Sequence, residues 1–392
     1  MSSVESHSKS NLPTLYGQRN PLPSHTPSAS SPAPALNMTV TLAVISHATA
    51  VARSALRVHP PSRHTTLRLR AKSAFSPRTA AAASGAAAVS AGGGEKEATD
   101  PRKMQVAVTG AGGRTGSLVM KLLSEQRGAF AAPRGLVRSS KSADKVRGVV
   151  ADAGADACVL VEGNISDPAV LTTLCEGCDA LVILTSAVPK PRIFSMIKAL
   201  VSKVLPWMEN KRPEFYFPDD GTPEQVDWLW QKTQIDAALA AGVTKIVLVS
   251  SMGGTQLDNF LNTMGGGGAV GAANILLWKR KAEMYLVASG ADYTVVHPGG
   301  LLNKDGGKRE LLVGMDDELL KGDRRSVPRA DVAAFVVRCL DAPEASNLSF
   351  DLASREEGEG SGPTQDLAGL LGALVGRTYD YSQPKDAPVP LP

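Results

Sequence analysis

Three glycines spaced three apart, Gly110, Gly113 and Gly116, follow the short apolar run Val106–Val108. They precede a stretch whose apolar residues, Leu118, Val119, Leu122 and Leu123, recur at helical spacing. Strand, glycine turn and helix in that order can cradle a pyrophosphate. The first glycine permits the tight turn, the second lets backbone approach the phosphates, and the third lets the helix pack on the strand. Backbone N–H groups and the positive end of the helix dipole then face the anion. With Gly112, Arg114 and Thr115, the turn makes residues 110–116 the candidate phosphate site of a dinucleotide; the plainer alternative is a glycine-rich turn with no ligand. About twenty residues on, where an NAD site would carry a carboxylate for the ribose 2′-OH, stands Arg138-Ser139-Ser140-Lys141. A guanidinium with hydroxyl neighbours suits a 2′-phosphate, so Arg138 favours NADP(H), with Arg114 as a second clamp. A solvated surface charge is the alternative for Arg138.

The elements that must position these groups alternate from residue 104 onward. Strands are expected at 106–108, 135–137, 157–161, 180–184, 245–249 and 293–296, with a further one at 348–352. Helices are expected at about 143–152, from 168, at 224–241 and at 274–288. Continuous β-branched runs mark strands buried on both faces. The pattern predicts a single Rossmann-type α/β fold: a doubly wound, mostly parallel sheet with helices on both faces, spanning 104–378. Ligands of such sheets sit at the carboxyl ends of the strands. Residues 187–222 interrupt the alternation. Within them Ile193, Ile197, Leu200, Val204 and Trp207 share one helical face, giving a short amphipathic helix. Packing over the core is its simplest role; a substrate lid, a membrane-surface contact or a protein partner through 187–222 are the alternatives. Gly265–Gly268 reads as a mobile loop, and 379–392 as a loose tail.

The first 94 residues carry nine Lys/Arg against one acid, Glu5, and are rich in Ser, Ala, Pro and Thr. The rest of the chain is mildly acidic, so the overall +4 offers no nucleic-acid footprint. A basic, acid-poor, disordered leader over residues 1–100 has the composition of an organelle transit peptide, with ordinary disorder as the alternative. No run of eighteen apolar residues predicts a membrane span. Cys175-Glu-Gly-Cys178 lacks the second pair of a zinc site, so no metal is expected, and buried apolar thiols are favoured over redox regulation.

Longer runs carry a resemblance. Thr109–Gly116, Gly135–Ser139, Asp179–Lys190, Pro223–Trp228, Val249–Thr255, Trp278–Glu283 and Val327–Val332 are similar to those of the atypical short-chain dehydrogenase/reductases, in particular a plant and algal chloroplast branch. The resemblance covers roughly residues 104–375. It implies a Rossmann fold, NADP binding and a chloroplast (stromal) address. It also implies that Asn164 and Ile165 border the adenine, and that Thr185 and Ser186 line the nicotinamide half, in agreement with their place at the end of the fourth strand. Where the wider superfamily has a Tyr four residues before its Lys, this chain has Ile275 before Lys279, and an alkyl chain transfers no proton. Tyr381 and Lys385 have the spacing, but Pro384 bars a helix there. The remaining catalytic candidates are Lys279, Ser251 and Asp227, with Ser250 beside Ser251 and Lys281 as a rival lysine. A ribose-binding role and a solvated helix position are both open for Lys279. His297, the only histidine beyond the leader, either serves as an acid or base or is hydrogen-bonded to a loop. These residues suit an NADPH-dependent oxidoreductase on a small organelle metabolite; a non-catalytic NADPH sensor or scaffold and an epimerase-like isomerase are the alternatives.

Overall fold

The structure is a computed structural model that describes residues 102–204, 213–265 and 273–384. The leader, Trp207, Gly266–Gly268 and the last eight residues, on which several expectations fall, lie outside the described residues. In chain order the elements are β1 (Val106–Thr109), α1 (Arg114–Glu125), β2 (Arg134–Val137), α2 (Ser140–Val149), β3 (Val159–Glu162), α3 (Pro168–Cys175) and β4 (Ala180–Ile183). Next come β5 (Lys190–Pro191), α4 (Ile193–Val204), β6 (Phe215–Tyr216), α5 (Trp230–Ala240), β7 (Lys245–Val249), α6 (Phe260–Thr263) and α7 (Ile275–Ala288). The chain closes with β8 (Asp292–Pro298), β9 (Gly300–Leu302), β10 (Leu311–Gly314), β11 (Ser326–Pro328), α8 (Arg329–Asp341), β12 (Leu348–Ser354) and α9 (Leu367–Gly372).

The main sheet runs β3-β2-β1-β4-β7-β8-β12-β11-β9, with β10 antiparallel on β12. From β3 to β8 every pairing is parallel. This is the doubly wound order, and its winding reverses between β1 and β4, where Val108 sits opposite Val182. A reversal opens a crevice beyond the strand ends. Alternation along β1 explains why both faces hold helices. Val106 and Val108 point to a core with Val119, Met120 and Leu123 of α1 and Phe335 and Val336 of α8. Ala107 points to the other core, with Leu171 and Leu174 of α3, Ile235 of α5 and Leu286 of α7.

The expected elements form with boundaries shifted by a few residues. Three features differ from expectation. First, α8 was not expected, although Val332, Phe335, Val336, Cys339 and Leu340 are buried at helical spacing. Second, β9, β10 and β11 extend the sheet; these strands of three and four residues are too short for a period of two to register. Third, the tail is not loose from residue 379. Tyr379 is buried and stacks on His297, and Tyr381 hydrogen-bonds Ser349 at 2.8 Å. Arg280 of α7 holds this strap, donating to the Gln383 carbonyl at 3.2 Å and to that of Asp380. Two aromatic side chains with a fully buried arginine between them supply the contact that the Pro-rich composition did not suggest.

Candidate functional site

The glycine turn lies in the crevice between β1 and β4. Gly110 adopts φ +71°, and a Cβ there would sit 2.9 Å from the Leu184 carbonyl oxygen. At Gly116 a Cβ would fall 2.1 Å from the Gly110 oxygen, so α1 touches the turn through its missing side chain. Gly113 caps α1 without a side-chain hydrogen bond, and no acid stands in the first turn. The first N–H groups of this twelve-residue helix therefore lack internal acceptors and are available to an anion.

A cleft of about 530 Å³ opens beside the turn. Gly110, Gly112, Gly113, Arg138, Asn164, Ile165, Thr185 and Ser186 all line it. The side chains of Arg114 and Thr115, and Gly116, in the first turn of α1, are not part of that lining, and the Arg114 guanidinium lies near Arg329. Arg138 is exposed at the end of β2, beside Ser139, which caps α2 by accepting from the Ser142 N–H at 3.4 Å. Among the described residues Arg138 has no ion-pair partner. Asn164 accepts from the Ser166 N–H at 3.1 Å, which fixes its side chain at the cleft edge. A 310 Å³ depression against α1, lined by Leu118, Leu122 and Ala334, contains none of these residues. The unsatisfied helix start and the cation at the far lip fit a dinucleotide, whose phosphates would meet the turn and whose adenosine end would lie toward Arg138 and Asn164.

The inner wall is set by α5 and by the wide turn, Glu224–Leu229, that leads into it. Gln231 donates to the Thr185 carbonyl at 3.1 Å, and Gln234 to the Thr185 hydroxyl at 3.3 Å. Neither glutamine was singled out in the sequence. Their spacing of three on one helix face, opposite a strand end, is the signal that finds them. Asp227, fully buried in the same turn, accepts from the Ala187 N–H at 3.1 Å and from Lys279 Nζ at 2.8 Å.

Two of the three catalytic candidates are thus joined. Lys279 is not a solvated helix lysine: it is buried, and its ammonium is committed to Asp227. Ser251 stands apart, donating to the Met252 carbonyl at 3.1 Å, and does not line the cleft. Lys281, the rival, lies over the Trp228 ring at 4.9 Å. Ser250 donates to Glu283, one turn beyond Lys279.

His297 is neither at the cleft nor bonded to a loop. It is buried, with Nε2 3.0 Å from Glu283 Oε2 and Nδ1 3.8 Å from Asp351. Burial opposes its charged form, but Glu283 and then Asp351 outweigh burial and raise its pKa above 6.5. Burial likewise pushes Asp351 up to about 7, with His297 opposing. Between 6.5 and its raised value the folded His297 keeps a proton that the unfolded chain has lost. The stability it confers is complete below about pH 6.5 and is lost as pH rises through the folded pKa. Asp351 contributes a loss of the same sign between 3.8 and about 7. The denaturation midpoint is therefore expected to fall from pH 6 to pH 9, and His297→Gln to flatten the upper part of that fall. An unchanged slope in the variant would remove His297 as its source.

Cys175 and Cys178 are buried and free, and burial pushes the Cys175 thiol up to about 12. Both behave as small apolar groups rather than as thiolates.

A doubly wound sheet with an open glycine turn at its switch point is the Rossmann architecture of dinucleotide-binding proteins. A family model described as NAD(P)H-binding matches residues 110–343, and the chain belongs to that family. It is 50% identical over 274 residues to the chloroplastic protein At2g37660 of Arabidopsis thaliana, covering 70% of this chain and 75% of the relative. It is 45% identical over 285 residues to the sanguinarine reductase of Eschscholzia californica, covering 71% of this chain and 98% of the relative. A more distant match, 28% identical over 169 residues, is the chloroplastic protein TIC 62 of Arabidopsis thaliana, covering 42% of this chain and 24% of that protein. The chloroplast address expected from the basic leader agrees with these plastid relatives. Among the described residues no helix is long and apolar enough to cross a membrane.

Proposed function

We propose that the protein is an NADPH-dependent oxidoreductase of the chloroplast stroma that reduces a small organic acceptor. The observation that carries this reading is the cleft lip at the end of β2, where an unpaired Arg138 and the hydroxyls of Ser139 and Ser142 stand in place of a carboxylate. The relative that is a reductase over nearly its whole length supports the reaction type. NADPH, when bound, supplies the hydride. The chain's residues do the rest. The turn at Gly110–Gly113 and the start of α1 hold the pyrophosphate, Arg138 pairs with the 2′-phosphate, and Asn164 and Ile165 border the adenine. Thr185 and Ser186 flank the nicotinamide, and Gln231 and Gln234 fix the backbone and hydroxyl of Thr185. Asp227 ties Lys279 to the Ala187 N–H and so keeps the inner wall of the cleft in place.

Among the described residues no tyrosine, histidine or cysteine lines the cleft, whose ionisable side chains are Arg138, Lys190 and Asp220. That favours an acceptor whose reduction takes its proton from water or needs none, such as a quinone or an iminium cation. The same feature, together with the commitment of Lys279 to Asp227, supports a second reading, an NADPH sensor without turnover. Purified protein with NADPH and a panel of quinones, aldehydes, enones and iminium cations separates the two. Turnover of any member establishes the enzyme, whereas tight NADPH binding with no turnover establishes the sensor. Arg138→Ala is expected to weaken NADPH binding about tenfold, through loss of charge-assisted hydrogen bonds, and to leave NADH binding nearly unchanged. Equal effects on both coenzymes in calorimetric titrations would contradict the 2′-phosphate assignment.

A further inference from the structure

Helix α4 is amphipathic in the inverted sense. Its buried residues are the small Ser195, Ala199 and Ser202. Ile193, Phe194, Met196, Ile197, Leu200 and Val201 face outward, with Phe194 82% and Ile193 72% exposed. Of the face expected to pack over the core, Ile193, Ile197 and Leu200 are exposed instead, while the side chains of Val204 and Trp207 lie outside the described residues. The helix is fastened by polar contacts on its inner side. Arg192 N–H donates to the Glu214 carbonyl at 2.9 Å, Glu214 N–H to Ser195 Oγ at 2.9 Å, and the β5–β6 ribbon closes the loop. An apolar stripe of this kind costs solubility unless something covers it.

The charges say what covers it. Between 187 and 204 every ionisable residue is basic: Lys190, Arg192, Lys198 and Lys203. By the helical period, position 198 falls on one flank of the apolar stripe, and Lys190 and Arg192 stand just before its first residue. The body of the protein is otherwise mildly acidic, so this is a local reversal of sign. A stripe of large apolar side chains with basic residues at its start and on its flank matches a helix lying in a membrane interface, its apolar face among acyl chains and its basic groups at anionic headgroups. A protein partner would instead call for hydrogen-bonding groups within the contact, about one per 100–200 Å². Among the described residues, the exposed stripe Ile193, Phe194, Met196, Ile197, Leu200 and Val201 carries none.

We infer that α4 docks this protein on an anionic lipid surface. Docking there sets the cleft close to the membrane, since Val188 and Lys190, which lead into α4, also line the cleft. The test is flotation of the full chain with vesicles of phosphatidylglycerol and phosphatidylcholine, compared with phosphatidylcholine alone. The wild-type chain is set against Phe194→Asp/Leu200→Asp. Both chains share the basic leader, so their difference reads α4 alone. Both positions are exposed, and unchanged NADPH binding checks that the variant folds. The expected result is that the wild type floats with anionic vesicles and the double substitution lowers its partition about tenfold. Equal partition of the two chains would overturn the inference. So would a vesicle-free dimer that the double substitution dissolves, because the stripe would then belong to a contact between copies of the chain.

Discussion

Gly116→Ala is expected to weaken NADPH binding about a hundredfold. The added carbon would lie 2.1 Å from the Gly110 carbonyl oxygen, 2.8 Å from its carbon and 3.0 Å from the Ala111 Cα. All three atoms are backbone, so no side chain can swing aside. Either α1 retreats from β1 or the turn moves. Retreat opens the core where Val119 and Met120 meet Val106 and Val108. Movement of the turn displaces the N–H groups assigned to the phosphates in the proposed reading. Forced expansion of a packed contact costs about 1–3 kcal/mol, and a contact this close belongs at the upper end, which in affinity is about a hundredfold. Gly128→Ala is the control, because a Cβ there meets nothing within 4 Å. Calorimetric titration of both variants with NADPH, with thermal melts alongside, makes the measurement. Wild-type affinity in Gly116→Ala would mean that the turn is not the phosphate site.

The first half of the sheet was legible because its rules are local. Val106–Thr109, Gly110, Gly113 and Gly116 announce a strand, a turn and a helix start within a dozen residues, and Arg138 sits where the second strand must end. After β8 the chain stops alternating. It makes three short strands, of which β10 pairs antiparallel with β12, and returns by α8, and strands of three or four residues leave no period to count. Helix α8 was legible in principle from Val332, Phe335, Val336 and Cys339, since one face of it is core. Helix α4 shows the opposite limit. Its periodicity was plain in the sequence, but periodicity does not say which way the apolar face points. The orientation is set by Ser195 and Glu214, a contact nineteen residues apart.

Within the site, residues tied to backbone geometry were readable and residues tied to one another were not. Eight of the eleven expected cofactor contacts meet at one cleft because strand ends and turns place them there. The pairings Lys279–Asp227, Gln231–Thr185 and His297–Glu283 depend on how α7, α5 and β8 face each other. Residue type alone left His297 a choice of roles. Only its burial against Glu283, Asp351 and Tyr379 removes it from the cleft.

Lys279→Met and Asp227→Ala are each expected to cost about 3–5 kcal/mol of stability, the range for one partner of a buried ion pair left alone. Asp227 is fully buried, and without Lys279 its charge keeps only the Ala187 N–H. Lys279 has a relative side-chain exposure of 7% and, among the described residues, no acceptor other than Asp227, so its ammonium is stranded in the same way. Replacing both, as Lys279→Met/Asp227→Leu, removes the charges together and is expected to recover most of the loss, because a packed apolar pair of similar volume is often no less stable than the ion pair. Denaturant titrations of the two single variants and the double variant close the cycle, and a double variant as unstable as the sum of the singles would show that the two groups do not act as a pair. The cycle also separates structure from catalysis. If Lys279 acts only by holding Asp227 and the Ala187 N–H, the refolded double variant retains NADPH affinity and loses little turnover. If Lys279 leaves Asp227 to meet the ribose, the double variant stays stable yet binds NADPH more weakly, a result that stability measurements alone would never reveal.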